Sequence, residues 1–188
     1  DIYLPGDKVL SHHLFIPATT GRGKSNLTSV MLWDTLGKSY CSMLVLDPHD
    51  EYYGSTTLGL KDHPDASKSL SYYTPTNPPP GTFTLKINLQ DIKPNHFDGV
   101  ANWSDPQRQA LHAAYARFGK QWIERIIAKD DNDEEFTTSF NDATLMVVRR
   151  RLMSILDIRV HEATQLICTG MFDTIAGTTT INDICNDL

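Results

Sequence analysis

The stretch Leu14–Asn26 reads LFIPATTGRGKSN, and it decides the fold class of the chain. A short apolar run leads into a glycine-containing turn, and Gly-Lys-Ser then opens a segment with helical spacing. This order is typical of a phosphate-binding P-loop, in which glycines let backbone N–H groups point at phosphate while the helix N-terminus adds positive charge. The sequence therefore predicts a nucleotide triphosphate site where a strand passes into a helix.

The last residues of this motif have separate expected roles. In a P-loop the lysine, here Lys24, reaches the β- and γ-phosphates, and the following hydroxyl, here Ser25, is a ligand of Mg²⁺. The full pattern G-x-x-x-x-G-K-[S/T] has glycine where this chain has Ala18. Because alanine avoids positive φ, we expect a less contorted first turn rather than a lost site. A glycine turn that binds no nucleotide is the alternative interpretation.

Composition is that of an ordinary globular domain. The 188 residues are 40% hydrophobic and 21% charged, which suits a single domain with a sizeable core. The net charge of −6 gives no general attraction to nucleic acid, so contact with DNA needs a local patch or assembled subunits. No apolar run approaches the ~18 residues of a membrane span. We expect a cytoplasmic protein with no membrane partner.

The segments around the motif are predicted to form a βαβ unit. His13–Ile16 is typical of a short buried strand, residues 27–36 have helical spacing, and Cys41–Asp47 is a second apolar run. This order implies a parallel sheet with a right-handed crossover. Because ligands of open α/β sheets bind at the carboxyl ends of strands, the loops at 17–24 and 47–54 are expected at the ligand edge.

Further strands and then helices are predicted after this unit. Strand character is seen in Leu70–Thr74 and Thr82–Leu89. Ser104 and Gln107 form a capping-box pattern before an apolar face that continues to Ile126. The acidic run 130–135 is expected to be a solvated loop, and further helices are expected at 145–156, 160–176 and 182–183. The chain is thus predicted to divide into an αβ core, residues 1–94, and a helical layer, residues 95–188.

A second informative segment carries two carboxylates. Residues 43–52 read MLVLDPHDEY, so Asp47 ends an apolar run and Glu51 lies four positions later. Taken alone, the run ending in Asp47 is a Walker B strand whose carboxylate holds Mg²⁺, as in P-loop kinases and GTPases. Glu51 favours hydrolysis instead, because a glutamate near a γ-phosphate can polarise an attacking water.

Together, ATTGRGKSN at 18–26 and VLDPHDEY at 45–52 resemble the HerA-type ATPases, which are hexameric DNA translocases related to the FtsK and type IV secretion motors. The family pattern reads roughly T-G-S-G-K-S-N, followed by a strand that ends in D-x-H-G-E-Y. Arg22 replaces the serine of the first motif, and Asp50 replaces the glycine of the second. The resemblance is specific over residues 12–54. It implies an α/β, RecA-like P-loop NTPase fold with a parallel sheet core and a helical insertion in the second half.

The resemblance also implies a site for ATP and Mg²⁺. Lys24, Asp47 and Glu51 would be the catalytic residues, with Ser25 and Asp47 as metal ligands. The phosphate cradle would comprise Thr19, Thr20, Gly21, Arg22, Gly23, Lys24, Ser25 and Asn26. The implied function is an ATP-driven translocase or helicase that acts as a hexameric ring on duplex DNA in repair and end processing. A nuclease partner is common in the family.

Two parts of the family pattern have no counterpart in these 188 residues: the acidic Walker B strand before Ala-His, and an arginine that acts in trans. We therefore expect the first half of a motor core, without the upstream barrel and the downstream catalytic half, and little ATP hydrolysis by this segment alone. One alternative is a P-loop kinase or GTPase with Asp47 as Walker B. A non-enzymatic scaffold that binds nucleotide is another.

Overall fold

The computed structural model describes residues 5–128, 139–161, 165–175 and 180–188. The chain divides into two compact units. The first unit comprises Asp1–Tyr73, Pro79–Phe83 and Ile184–Leu188, and the second comprises Thr74–Pro78 and Thr84–Asp183. In the described ranges, helices and three two-stranded sheets give a mixed α/β character. No helix among the described residues is both long and apolar enough to cross a membrane.

The described residues of the first unit form three α-helices and a 3₁₀ turn at Leu60–Asp62. Helix α1 spans Gly6–Leu10, α2 spans Lys24–Thr35 and α3 spans Ala66–Ser69. Helix α2 confirms the helix predicted after the glycine turn, and it ends where the backbone becomes extended at the next residue. The motif lysine is therefore the first residue of a twelve-residue helix.

The two strands predicted on either side of α2 are not formed, and the predicted βαβ unit is wrong for the described residues. His13–Ile16 and Cys41–Asp47 have no regular secondary structure. Phe15 is 87% exposed and Leu46 is 84% exposed. An apolar run favours a strand, but the strand exists only when a neighbouring strand accepts and donates its backbone hydrogen bonds. The sequence pattern does not specify that neighbour.

The predicted strand Thr82–Leu89 is divided between two sheets. Strand β1 (Tyr73–Thr74) pairs with β2 (Phe83–Thr84). Strand β3 (Ile87–Asn88) has another partner and ends in a 3₁₀ turn capped by the Asn88 side chain, which accepts from the Gln90 N–H at 2.8 Å. The structure confirms strand character at both ends of the predicted segment, but the extended sheet expected from the P-loop pattern is absent from the described residues.

The helix predicted over residues 160–176 is wrong. Strand β4 (Ile158–His161) pairs antiparallel with β5 (Gln165–Cys168), with Ile158 opposite Cys168. Strand β6 (Phe172–Asp173) then pairs in parallel with β3. Ile158 is buried while the next residue is exposed, an alternation that suits a half-buried strand better than a helix.

Three helices of the second unit largely match the predicted ones. Helix α4 spans Asp105–Phe118, α5 spans Trp122–Ala128 and α6 spans Asp142–Ile155. The Gln107 carboxamide accepts from the Ser104 N–H at 3.2 Å, which confirms the capping box. The single apolar helix expected through Ile126 is interrupted after α4, because Gly119 has φ +55° and a 3₁₀ turn follows.

The chain ends with α7 (Ile181–Asp187), which confirms the predicted last helix. The acidic run 130–135 lies outside the described residues.

Trp122 lies at the centre of the core of the second unit. Its side chain is fully buried, and the indole N–H donates to the Ile92 carbonyl at 2.9 Å. Phe97 and Tyr115 approach the indole edge-to-face at 6.0 and 6.4 Å between ring centroids. Buried residues from α4, α5, α6 and β4 complete this core, among them Leu111, Ala114, Ile123, Ile127, Val148, Leu152 and Ile158.

Candidate functional site

Two glycines of the loop before α2 have a left-handed backbone conformation. Gly21 and Gly23 both have φ +80°, and apart from the adjacent residues no atom lies within 4 Å of the position that a Cβ would take on either residue. The Arg22 N–H donates to the Thr19 carbonyl at 3.2 Å and closes the turn. Positive φ favours glycine, and the open space leaves room for a phosphate group to approach the backbone. Of the predicted cradle residues, Thr19–Gly23 form one exposed turn, and Lys24, Ser25 and Asn26 begin α2.

The N-terminus of α2 continues this cradle. Gly23 is the N-cap residue, and its carbonyl accepts from the Leu27 N–H at 2.9 Å. The N–H groups in the first turn of a helix have no intrahelical partner, and glycine offers no side chain to cap them. Lys24 is exposed and Ser25 is half-buried at this end of the helix. Backbone N–H groups and the dipole of such a helix terminus favour a nearby anion.

Two hydroxyl groups of α2 donate to backbone carbonyls in the first turn of the same helix. The Thr28 hydroxyl donates to the Lys24 carbonyl at 3.1 Å, and the Ser29 hydroxyl donates to the Ser25 carbonyl at 2.9 Å. Both bonds run back along the helix by one turn.

Residues 47–51, which we call the acidic elbow, fold around the carboxylate of Asp47. One oxygen of this carboxylate accepts from the Glu51 N–H at 3.1 Å, and the other accepts from the Tyr52 N–H at 2.9 Å. Asp47 is half-buried, whereas the Glu51 side chain is exposed. The structure thus brings the two predicted carboxylate residues together, with Asp47 as the acceptor that sets the course of the backbone through Glu51.

The acidic elbow and the glycine turn belong to the same compact unit. Residues 1–169 match the family described as Helicase HerA, central domain. The chain belongs to this family. The match confirms the resemblance that the two motifs indicate.

A curated relative agrees with this assignment. The chain is 28% identical over 142 residues to a protein from Sulfurisphaera tokodaii named DNA double-strand break repair helicase HerA. The alignment covers 74% of this chain but 24% of the relative, so the chain spans about a quarter of that protein's length. No solved structure gives a significant match.

Asp50 stands where the HerA pattern has glycine, and its backbone explains the preference for glycine there. Its φ is +54°, in the left-handed region that most side chains avoid. Aspartate tolerates this region better than most residues because its short polar side chain can form local hydrogen bonds. Here the Asp50 carboxylate accepts from the Tyr72 hydroxyl at 3.2 Å. The replacement of glycine therefore keeps the turn and adds a hydrogen bond.

Two tyrosines lie against the elbow. The Tyr53 and Tyr72 rings are stacked, with centroids 3.7 Å apart and planes 11° from parallel. Beyond them, the Tyr53 carbonyl accepts from the Lys61 N–H at 3.2 Å. Gly54 has φ +89°, and a Cβ there would stand 2.6 Å from the Gly59 backbone, so this loop closes only with glycine. Sequence reasoning missed the contact between Tyr72 and Asp50, because no local spacing links residues 22 positions apart.

The donors present fit a Mg²⁺ ion that arrives with a nucleotide. Among the described residues, no three His, Cys, Asp or Glu side chains are grouped to hold a metal ion. Mg²⁺ commonly keeps several waters and binds through one or two protein oxygens together with substrate phosphates. The Ser25 hydroxyl is one such oxygen. The Asp47 carboxylate accepts two backbone bonds and has lone pairs left for a further partner.

Proposed function

We propose that this chain is the nucleotide-binding part of an ATP-hydrolysing motor that moves along duplex DNA during repair. The observation that carries the nucleotide part is the paired left-handed conformation of Gly21 and Gly23 directly before α2. Membership of the HerA family supports a motor, and the name of the S. tokodaii relative supports DNA repair. The proposal includes the RecA-like P-loop architecture.

Binding of ATP is the first step in this proposal. The Lys24 ammonium neutralises the β- and γ-phosphates, while N–H groups from the glycine turn and from the first turn of α2 bond to phosphate oxygens. Ser25 and Asp47 contribute oxygens to Mg²⁺, which reduces the charge on the phosphates. The open space beside Gly21 and Gly23 is what allows the phosphates to approach the backbone. The flanking residues Thr19, Thr20, Arg22 and Asn26 complete the cradle.

Hydrolysis is the second step, and we assign the general base to Glu51. Its exposed carboxylate accepts a proton from the water that attacks the γ-phosphate, so the new P–O bond forms as the bond to the leaving ADP oxygen breaks. The backbone N–H of the same residue is held by Asp47. In this assignment the two carboxylates have different tasks. Asp47 shapes the elbow and meets the metal, and Glu51 acts on water.

The assembly we propose is a cytoplasmic homohexameric ring that encircles DNA, with a nuclease as a partner. The net charge of −6 argues against binding of DNA by the general electrostatics of a single chain. A ring offers an alternative, because six copies of one weak contact act together at high effective concentration. Hydrolysis at one subunit then moves its contact along the duplex.

The decisive experiment is ATPase measurement on the complete protein that contains this chain, as wild type and with Lys24→Ala. We expect turnover to fall at least about a hundredfold, because the substitution removes the side chain that neutralises the transferred phosphoryl group. Lys38→Ala is the matched control, since Lys38 is also exposed and follows the opposite end of α2. Equal turnover in Lys24→Ala and wild type contradicts the proposal.

Glu51→Gln separates hydrolysis from binding. The amide cannot take a proton from water, so we expect ATP to stay bound while phosphate release stops. Duplex DNA should stimulate the wild-type rate. Transfer of phosphate to an acceptor molecule would indicate a P-loop kinase instead, and unchanged function in Glu51→Gln would indicate a scaffold that binds nucleotide without hydrolysis. Measurement of the mass of the assembly in solution tests the hexamer.

A further inference from the structure

We propose that Tyr72 is a positioning residue that fixes the direction of the Glu51 side chain by holding the acidic elbow on both sides of it. This inference rests on the proposed function, in which Glu51 is the general base. Tyr72 lies outside both sequence motifs.

The first contact is made before Glu51. The Tyr72 hydroxyl donates to the Asp50 carboxylate at 3.2 Å. Asp50 is the residue in the left-handed conformation, with φ +54°, and it directly precedes the proposed base. A left-handed residue reverses the local course of the chain, so its φ and ψ determine where the next side chain points. A bond to the Asp50 side chain therefore favours one direction for Glu51.

The second contact is made after Glu51. The Tyr72 ring stacks on Tyr53 at 3.7 Å, two residues beyond the proposed base. Stacked aromatic pairs contribute about 0.5–1.5 kcal/mol beyond their buried area. The Tyr72 backbone is itself anchored, because its carbonyl accepts from the Phe83 N–H at 2.9 Å. One anchored side chain thus contacts the chain on either side of Glu51.

The bond from the Tyr72 hydroxyl orients the Glu51 side chain, but it is not needed to form the acidic elbow. The turn is already closed by the two backbone N–H groups that donate to Asp47. A general base must lie within hydrogen-bond reach of the attacking water, and small displacements cost large factors in rate. Loss of the hydroxyl should therefore lower kcat and leave nucleotide binding, which depends on the glycine turn, unchanged.

The test compares Tyr72→Phe with Tyr73→Phe. Tyr73 is a matched control, because its hydroxyl also donates to a carboxylate, that of Asp187 at 2.7 Å, and its ring stacks on Phe83. For Tyr72→Phe we expect kcat to fall about five- to tenfold with an unchanged KM for ATP. Amide hydrogen exchange at Glu51 and Tyr52 should stay within about twofold of wild type in the same variant, because both N–H groups still donate to Asp47. Tyr73→Phe should change neither quantity.

Substitutions at Asp50 test whether the effect of Tyr72→Phe depends on the Asp50 carboxylate. In Asp50→Gly the hydroxyl has lost its carboxylate partner, so adding Tyr72→Phe should cause no further fall in kcat. Asp50→Asn keeps an acceptor and should retain more activity than Asp50→Gly. The inference is overturned if Tyr72→Phe matches wild type in kcat while Lys24→Ala abolishes turnover, and the proposed function then stands. Absence of Lys24-dependent turnover in wild type overturns both.

Discussion

The two units of this chain differ in what holds them together. The second unit has a continuous core around Trp122, with buried side chains from α4, α5, α6 and β4. In the first unit, the buried apolar side chains among the described residues are Leu32 and Leu60. Its loops are held mainly by hydrogen bonds, such as those to the Asp47 carboxylate. Packing therefore stabilises the second unit, and backbone geometry defines the candidate site in the first.

Stability and site chemistry are therefore expected to respond to different substitutions. Removal of a core side chain loses apolar burial and leaves a cavity. Substitution in a glycine turn changes backbone strain and the room available to a ligand, with little change in burial. We therefore suggest measuring the free energy of unfolding and the affinity for ATP on the same variants. Core substitutions in the second unit should lower mainly the former, and substitutions in the glycine turn should lower mainly the latter.

The largest expected effect is that of Trp122→Ala. The indole is fully buried, contacts two aromatic rings and donates to a backbone carbonyl. Truncation should lower the free energy of unfolding by about 3–5 kcal/mol, measured by urea denaturation. Phe15→Ala, at a ring that is 87% exposed, should stay within about 0.5 kcal/mol of wild type. Similar losses in the two variants would contradict the contrast between the units.

Gly23→Ala should have the next largest effect, and on ATP affinity. A Cβ at φ +80° costs about 1–2 kcal/mol, so the turn leaves the phosphate-binding conformation and ATP binds about tenfold more weakly by titration calorimetry. Gly99→Ala is the matched control, because this glycine of the second unit has φ +82° and equally open surroundings. It should lose unfolding free energy without losing ATP affinity. Equal weakening of ATP binding in both variants would show general unfolding instead.

A smaller effect is expected at Asp50, because aspartate already bears part of the strain of the left-handed region. Asp50→Val should destabilise the acidic elbow by about a further 1 kcal/mol, since a β-branched side chain is poorly tolerated there. Amide hydrogen exchange at Glu51 and Tyr52 measures this locally, and it should rise. Asp50→Asn, which tolerates positive φ, should leave the exchange close to wild type. Slower exchange in Asp50→Val would disprove the strain argument.

Local signals were predictable from the sequence. The N-terminus of α2 follows from Gly-Lys-Ser, and the start of α4 follows from the spacing of Ser104 and Gln107. Each depends on residues within one turn of one another, so no distant partner is needed. The interruption after α4 could also have been predicted, because Gly119 is the residue type that most often follows a helix end.

Features that need distant partners were not predictable in the same way. The run Cys41–Asp47 is apolar enough for a buried strand, yet no strand pairs with it among the described residues. The sequence predicts a helix where β4 and β5 pair, because each strand has only four residues in which apolar and polar positions can alternate. In the site, the glycine turn was predictable from its motif, but the bond from Tyr72 to Asp50 spans 22 positions and leaves no local trace.

The smallest expected effect is a pH dependence of the free energy of unfolding that comes from the second unit. Glu124 lies in α5 of the second unit, and burial raises the pKa of its carboxyl above the usual 4.5, with the nearby Arg125 partly opposing the rise. A raised pKa means that the folded state binds the proton more tightly than the unfolded state. The contribution of Glu124 to stability is thus greatest when it is protonated, and it declines as pH rises from about 4.5 through the folded pKa.

Glu124→Gln removes this titration, so its free energy of unfolding should rise relative to wild type as pH increases over that window. Urea denaturation at several values from about pH 4 to about pH 7 measures the difference. Because the substituted group belongs to the second unit, affinity for ATP should remain that of wild type throughout. Curves of unfolding free energy that stay parallel across this range would show that burial of Glu124 does not disfavour its charged form. A change in ATP affinity would show instead that the core of the second unit controls the nucleotide loops, which is the strongest challenge to the division of roles between the two units.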